Sequence, residues 1–294
     1  MTIEIAPHPA VLPPQMSTGT LAKLRRIRII NAMCTLAIYL AVSADHPLVI
    51  AANRDELYER PAAAPQIIAS APWIVAGRDL VAGGTWLGVN EHGLVAGLLN
   101  RRSHVPPDPR RASRGQLCVG ALQHSSLASA AAAVCAEAAD RYNPFNLLLA
   151  TPQAACVIGN VSGTMSHTEL TRGLHLLTNL DLNDMECPRI AKSYALFEAA
   201  KRFVEAADIE ALLPALRTIL ADHSTPLDPR STGPPNNLCV HGERFGTRSS
   251  SVLVYNAQQQ RFRMWHADGP PCETEYREVV LPYSDDSADS LRKC

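Results

Sequence analysis

Cys34 stands directly behind a methionine in a chain that already begins at Met1, and that pairing opens a particular chemistry. If translation starts at Met33 and the methionine is removed, Cys34 becomes the first residue and carries a thiol and a free α-amino group on one carbon framework. An α-amine has a pKa of roughly 7.7–8.0, so a useful fraction is neutral near physiological pH and can accept the thiol proton. This is the N-terminal nucleophile arrangement, which needs no catalytic histidine. Without Met33, a lone cysteine reads as an ordinary buried small apolar residue.

Other chemistries find no footing. The chain has no G-x-S-x-G, H-E-x-x-H, G-x-G-x-x-G or G-x-x-x-x-G-K-[ST] element. Its 8 cysteines (Cys34, Cys118, Cys135, Cys156, Cys187, Cys239, Cys272 and Cys294) show no C-x-x-C spacing, against both a disulfide framework and a zinc cluster. The 10 histidines are dispersed. Cys239-Val240-His241 reads as a single pair, short of the ligands of a structural metal site, so neither a metal nor a cofactor is expected.

Elements must hold such a site, and the composition allows them. A chain of 294 residues, 47% hydrophobic and 19% charged, can bury a core as one large domain or two modest ones. A formal net charge of -1 offers no basic footprint for nucleic acid. No window is long and apolar enough for a membrane span, and residues 1–20 lack a signal peptide's basic start and apolar core, so a cytoplasmic protein is expected. Residues 1–32 differ in composition from the rest of the chain: MTIEIAPHPAVLPPQMSTGT is rich in Pro, Ser and Thr, and LAKLRRIRIINA is basic. A wrongly chosen upstream start, a removable leader and a genuine appendage all fit. The chain is expected to divide into this segment, a domain over 33–282 and a polar tail over 283–294.

From Cys34 onward the punctuation predicts an α+β domain. TLAIYLAV and LVIAANRD have strand-like lengths and are joined by a hairpin-type SADHP connection. GTWLGVNEHGLVAGLLN repeats the theme, with Gly93 available for positive φ in the turn. Helices are expected within 114–140, after Ser113, and within 188–222, with Pro188 in a first turn. NLLLAT, AACVIGN, LHLLTN, SSVLVYN and RFRMWHA supply further strands, the last two joined by AQQQ.

With these elements in place the residues resemble a known family. MCTLAIYL, AANRDELYERP, GGTWLGVNEHGLVAGLLNRR, YNPFNLL, GLHLLTN and FGTRSSS are similar to the NRDE (transport and Golgi organisation 2) family, named after Asn53-Arg54-Asp55-Glu56, over Met33 to about residue 280. That family is in turn remotely similar to the N-terminal nucleophile hydrolases of the penicillin V acylase and bile salt hydrolase type. The resemblance implies an αββα sandwich and cleavage of linear amide bonds by Cys34, as a hydrolase or acyltransferase acting on a small acyl amide. In those enzymes an R-N-x-D element follows the nucleophile; Asn53 and Asp55 match it, and the leading arginine is replaced by Ala52.

Strand alternation sets Asn53 and Asp55 on one side and Arg54 and Glu56 on the other. Asp55 is therefore expected to hold the α-amino group of Cys34, while Arg54 either acts catalytically by stabilising the thiolate or points away as a structural ion-pair partner. Asn100 and Asn179 resemble the acylases' A-G-L-N and L-T-N elements and are expected to bind the oxyanion; an extra leucine before Asn100 threatens its face. Arg248 matches an arginine ahead of a C-terminal core strand, where a guanidinium favours a thiolate, or else is solvated in a Gly-Thr-Arg-Ser turn. Trp86 either closes a tight strand entry or lines an acyl pocket. The resemblance also brings a non-enzymatic alternative, haem or lipid handling, in which the Cys34 thiolate or Cys187 of Cys187-Pro188 ligates haem.

Overall fold

The run TLAIYL forms a strand buried along its whole length, because both of its faces are covered. Leu36, Ile38 and Leu40 enter a core shared with Val75, Leu87, Val95 and Leu148 of a second sheet. Ala37 and Tyr39 point the other way, into a core with Phe197, Val204 and Leu216 of two helices. The two-residue period of a strand thus serves two apolar layers at once.

The computed structural model describes residues 34–161, 163–225 and 237–283. The leader expected over 1–32 lies outside the described residues, as does the polar tail from 284 onward. In chain order the elements are β1 (Thr35–Leu40), β2 (Leu48–Leu57), β3 (Ala62–Ser70), β4 (Trp73–Asp79), β5 (Leu87–Asn90), β6 (Val95–Asn100), α1 (Arg114–Ala121), α2 (Leu127–Cys135), a single 3-10 turn at Ala139–Arg141, β7 (Phe145–Ala150), β8 (Ala155–Val161), β9 (Thr164–Glu169), β10 (Gly173–Leu177), α3 (Pro188–Glu205), α4 (Ile209–Leu220), β11 (Phe245–Asn256), β12 (Arg261–Ala267) and β13 (Arg277–Val279). One antiparallel sheet has the order β10-β1-β2-β11-β12-β13, the other β3-β4-β5-β6-β7-β8-β9. α3 and α4 cover the first sheet; α1 and α2 cover the second, over Ile74, Ala96, Phe145 and Leu149. The layers run α, β, β, α, as expected.

Local signals account for the breaks. Ser113, Ser126 and Asp208 cap α1, α2 and α4 with side-chain hydrogen bonds to the first turn. Pro188 opens α3 at its first turn, behind Cys187. Gly93, at φ 74°, turns β5 into β6. Four strands carry no alternating signal. β3, β9 and β13 are sheet edges in which no residue is buried, and β3 accommodates Pro65 at a register shift between Ala63 and Gln66. β4 lies one strand in and is recognisable only once β3 is paired to it. Tyr283, at the start of the expected tail, is packed: its hydroxyl accepts a hydrogen bond from Phe262 N at 2.9 Å and its ring meets Trp73 edge-on.

One expectation fails outright. Cys239-Val240-His241 does not stand alone, because the loops around α4 and β12 carry His223 and Cys272 to it.

Candidate active site

Cys34 immediately precedes β1, which lies between β10 and β2. Leu36 pairs with Leu177 on one side and Thr35 with Asn53 on the other. Carried one residue on, the pairing with β2 sets Arg54 beside Cys34, while β10 ends at Leu177 and Asn179 lies in the bend beyond it. Directly opposed residues share a face, so Cys34 and Arg54 both face the space between the sheets, as Leu36 and Ala52 do. On the far side of Arg54 comes Ser249 of β11.

The thiol is half-buried and seated on the main chain of the next strand: Asp55 N–H donates to Cys34 Sγ at 3.3 Å, and Sγ donates to Asp55 O at 3.5 Å. Above it opens a cavity of about 580 Å³ whose lining includes Cys34, Arg54, Asp55, Trp86 and Asn100, with the segment from Asp108 to Gly115 as the facing wall. That wall approaches so closely that a Cβ on Gly84 would lie 2.2 Å from the carbonyl carbon of Gly115.

Alternation along β2 holds, and its faces are exchanged relative to expectation. Arg54 shares the face of Cys34: its guanidinium lies 4.3 Å from the centre of the Trp86 ring and within 3.7 and 3.8 Å of Glu56 and Asp79. Arg60 completes this charged wall, donating to Asp79 Oδ2 at 2.6 Å. Burial pushes the Asp79 carboxyl up, but the Arg60 bond and the Ala82 and Val81 N–H groups together hold it below the usual carboxylate range.

Asn53 and Asp55 point instead toward the helices. Asn53 Nδ2 donates to Leu220 O and Leu238 O. Asp55 Oδ1 accepts from Thr247 Oγ1 at 2.7 Å, and Asp55 Oδ2 is buried without a hydrogen-bond partner among the described residues. Asp55 still touches Cys34 through its main chain, whose N–H and carbonyl both bond the sulfur.

Burial pushes the Asp55 carboxyl up to about 6, against the pull of Arg189, Thr247 and Arg54. Burial likewise pushes the Cys34 thiol up to about 12, reinforced by the Asp55 charge and only partly offset by the Asp55 N–H and Arg54. Within the chain, these surroundings hold Cys34 in its protonated thiol form near neutral pH.

The remaining expected residues fall in different places. Asn100 ends β6, is exposed and lines the cavity. Asn179 lies past the end of β10 and is not among the cavity-lining residues; its Oδ1 is buried and has no hydrogen-bond partner among the described residues, and its carbonyl accepts from Arg102 N at 2.7 Å. Arg248 is not in a turn. It is the extra residue of a bulge in β11 between Thr247 and Ser249, its Nε is buried without a hydrogen-bond partner among the described residues, and it does not line the cavity.

The structure adds residues that sequence reasoning passed over. Arg189, in the first turn of α3, is 3% exposed; its Nε donates to Asn237 O, both its Nη atoms lack hydrogen-bond partners among the described residues, and it is the chief charge opposing the upward shift of Asp55. Its only sequence signal was a charge inside an otherwise half-apolar helix start. Thr247 gave none, since its role follows from the bulge. Asp79 and Arg60 stand out only as charges beside apolar strands.

Residues 33–265 match the family model of Transport and Golgi organisation 2. The chain belongs to that family. Similar family members include the Transport and Golgi organization protein 2 homolog of Bos taurus, 31% identical across 71% of this chain and 82% of that protein, and the Homo sapiens homolog, 27% identical over the same shares. Among solved structures the chain is similar to a Caenorhabditis elegans ortholog of N-acylethanolamine-hydrolyzing acid amidase, with a TM-score of 0.51 and 12% identity over 85% of this chain and 100% of that one. A variant of the conjugated bile acid hydrolase of Clostridium perfringens gives 0.50 and 10%, over 84% and 97%. At such identities the likeness is one of fold: this family member has the αββα sandwich of N-terminal nucleophile hydrolases. Family residues expected to act together, Cys34, Arg54, Asp55 and Asn100, line one cavity here. Among the described residues, no helix is long and apolar enough to cross a membrane.

Proposed function

We propose that this protein is a cysteine-dependent amide hydrolase or acyltransferase whose nucleophile is Cys34 exposed as the first residue. One observation carries the reading: beside the Cys34 thiol, at a cavity, the buried Asp55 has one carboxylate oxygen without a partner among the described residues. Buried polar atoms are nearly always paired, and an α-amino group on Cys34 is a partner of the right charge and place. Asp55 then orients that amine. The neutral amine takes the thiol proton as sulfur attacks the amide carbonyl, and the side-chain amides of Asn179 and Asn100 donate to the oxyanion, a contribution of roughly 3–4 kcal/mol for a well-placed donor. Collapse of the tetrahedral adduct expels the amine, protonated by the same α-ammonium, and leaves a thioester for water or a second amine to open. Arg54, fixed by Trp86, Glu56 and Asp79, places positive charge on the thiol's face.

Haem or lipid handling finds less support in the site. Cys187-Pro188 starts α3 and packs against its core, and the cavity beside Cys34 is walled by Arg54, Glu56, Arg60 and Asp79 rather than by continuous apolar surface.

The deciding comparison uses three proteins: one beginning at Cys34, one with an uncleavable extension before it, and Cys34→Ala. The first should release a chromogenic amine from an acyl amide in a burst, with a rate rising between roughly pH 6 and 8 as the amine loses its proton. The other two should be inert. Equal rates with and without the extension would remove the α-amine as base and sink the reading.

A further inference from the structure

Three segments that are remote in sequence meet beside the C-terminal end of α4. His223 lies just past that helix, Cys239 and His241 precede β11, and Cys272 follows β12. One ligand atom from each of the four lies within 4.8 Å of all the others. We propose that these residues bind one structural zinc(II) ion, at a site separate from the Cys34 cavity.

The spacings lie near those of a tetrahedral site, two of the three that follow within its edge range and all six within 4.8 Å. Cys239 Sγ is 3.5 Å from Cys272 Sγ and 3.7 Å from His241 Nε2, and His241 Nε2 is 3.1 Å from Cys272 Sγ. With Zn–S near 2.3 Å and Zn–N near 2.0–2.1 Å, the edges of a tetrahedron measure roughly 3.3–3.8 Å. Two sulfurs at 3.5 Å would by themselves suit a disulfide partnership after a small movement. Two imidazoles brought to the same point are what a metal adds, and a mixed S2N2 tetrahedron selects zinc among common divalent ions.

The supporting shell is also built. His223 Nδ1 is 3.1 Å from the carbonyl of Cys239; a carbonyl only accepts, so Nδ1 carries the proton and Nε2 keeps its lone pair for a metal. A backbone carbonyl orienting a ligand imidazole in this way is the usual outer-shell device. Asn237 Nδ2 donates to the same carbonyl. Zinc binding releases the two thiol protons to solvent, and two thiolates then neutralise the ion, which suits a centre whose Cys239 is fully buried.

The site has a structural consequence. Val240, between two ligands, donates its N–H to Thr247 Oγ1 at 2.9 Å, and Thr247 N–H returns a bond to Val240 O. Thr247 Oγ1 in turn donates to Asp55. The metal clamps the loop that holds Asp55 from behind, whatever chemistry Cys34 performs.

The test is metal analysis of full-length protein produced with zinc supplied, together with the spectrum after replacement by cobalt(II). The expected results are one zinc per chain, a tetrahedral thiolate–cobalt spectrum, and a lower Tm after chelation. Cys239→Ser and Cys272→Ser should lose stoichiometric zinc, while Cys34→Ala keeps it. His223→Ala removes an exposed ligand and guards against a core variant that fails to fold; it too should lose tight binding while keeping the native circular dichroism. Wild-type protein that takes up no stoichiometric zinc, that carries iron instead, or whose intact mass reports a Cys239–Cys272 disulfide would overturn the proposal.

Discussion

Cys34 in a chain that retains residues ahead of it should be a sluggish thiol, and the structure sets the size of the effect. Burial and the Asp55 carboxylate push it up to about 12, against about 8.5 for a free cysteine. At pH 8 the thiolate fraction is then about 10⁻⁴ instead of about a quarter, a loss of roughly 2,000-fold. A more basic thiolate is also a better nucleophile, and a Brønsted slope of ~0.4–0.5 returns roughly 40-fold over that interval. The net expectation is exchange with an aromatic disulfide reagent about 60-fold slower than for a small free thiol, read by peptide mass spectrometry on the Cys34 fragment. Asp55→Asn removes the second-largest cause and should quicken the reaction in the same extended chain. Beginning the chain at Cys34 should quicken it further, because an adjacent ammonium favours the thiolate. If Cys34 of the extended chain reacts as fast as a free thiol, or if Asp55→Asn slows it, the electrostatic account of the site is wrong.

Asp55 should also leave a mark on stability. Its folded-state value, about 6, is above that of the unfolded chain, so the native state holds the proton more tightly and stability falls as pH rises from about 4 through 6. Denaturant titrations at pH 4 and pH 7 should show Asp55→Asn relieved of a penalty of up to about 3 kcal/mol at the higher pH only; a pH-independent difference would contradict this. Gly84→Ala places a Cβ against the Gly115 backbone and should destabilise by about 1–3 kcal/mol, read as a lower midpoint in thermal unfolding, whereas unchanged stability would mean that the facing wall yields freely. Arg54→Ala leaves Glu56 and Asp79 without the Arg54 partner and Trp86 without its cation; a loss of about 1–3 kcal/mol and a still slower Cys34 are expected in denaturant and thiol-exchange assays.

What the sequence determined by itself is what depends on near neighbours. The two-residue period of TLAIYL and LVIAAN, the Gly93 turn, the serine caps of α1 and α2 and Pro188 at the head of α3 were all legible, because each is settled within a few residues along the chain. Cys34 behind Met33 was legible as chemistry for the same reason. The edge strands β3, β9 and β13 were not, since none of their residues is buried and they are strands only because a neighbour offers hydrogen bonds.

The assembly of the site was decided by tertiary structure. Alternation showed that Arg54 and Asp55 face opposite sides, but which side holds Cys34 depends on the pairing of β2 with β1. Thr247 reaches Asp55 through a bulge in β11 that local pattern does not reveal, and Arg189 arrives from a helix more than a hundred residues downstream. His223 and Cys272 join Cys239 and His241 only after α4 and β12 have packed. Such meetings are governed by register and packing between distant segments, where the contact energy lies in surfaces that the chain brings together on folding.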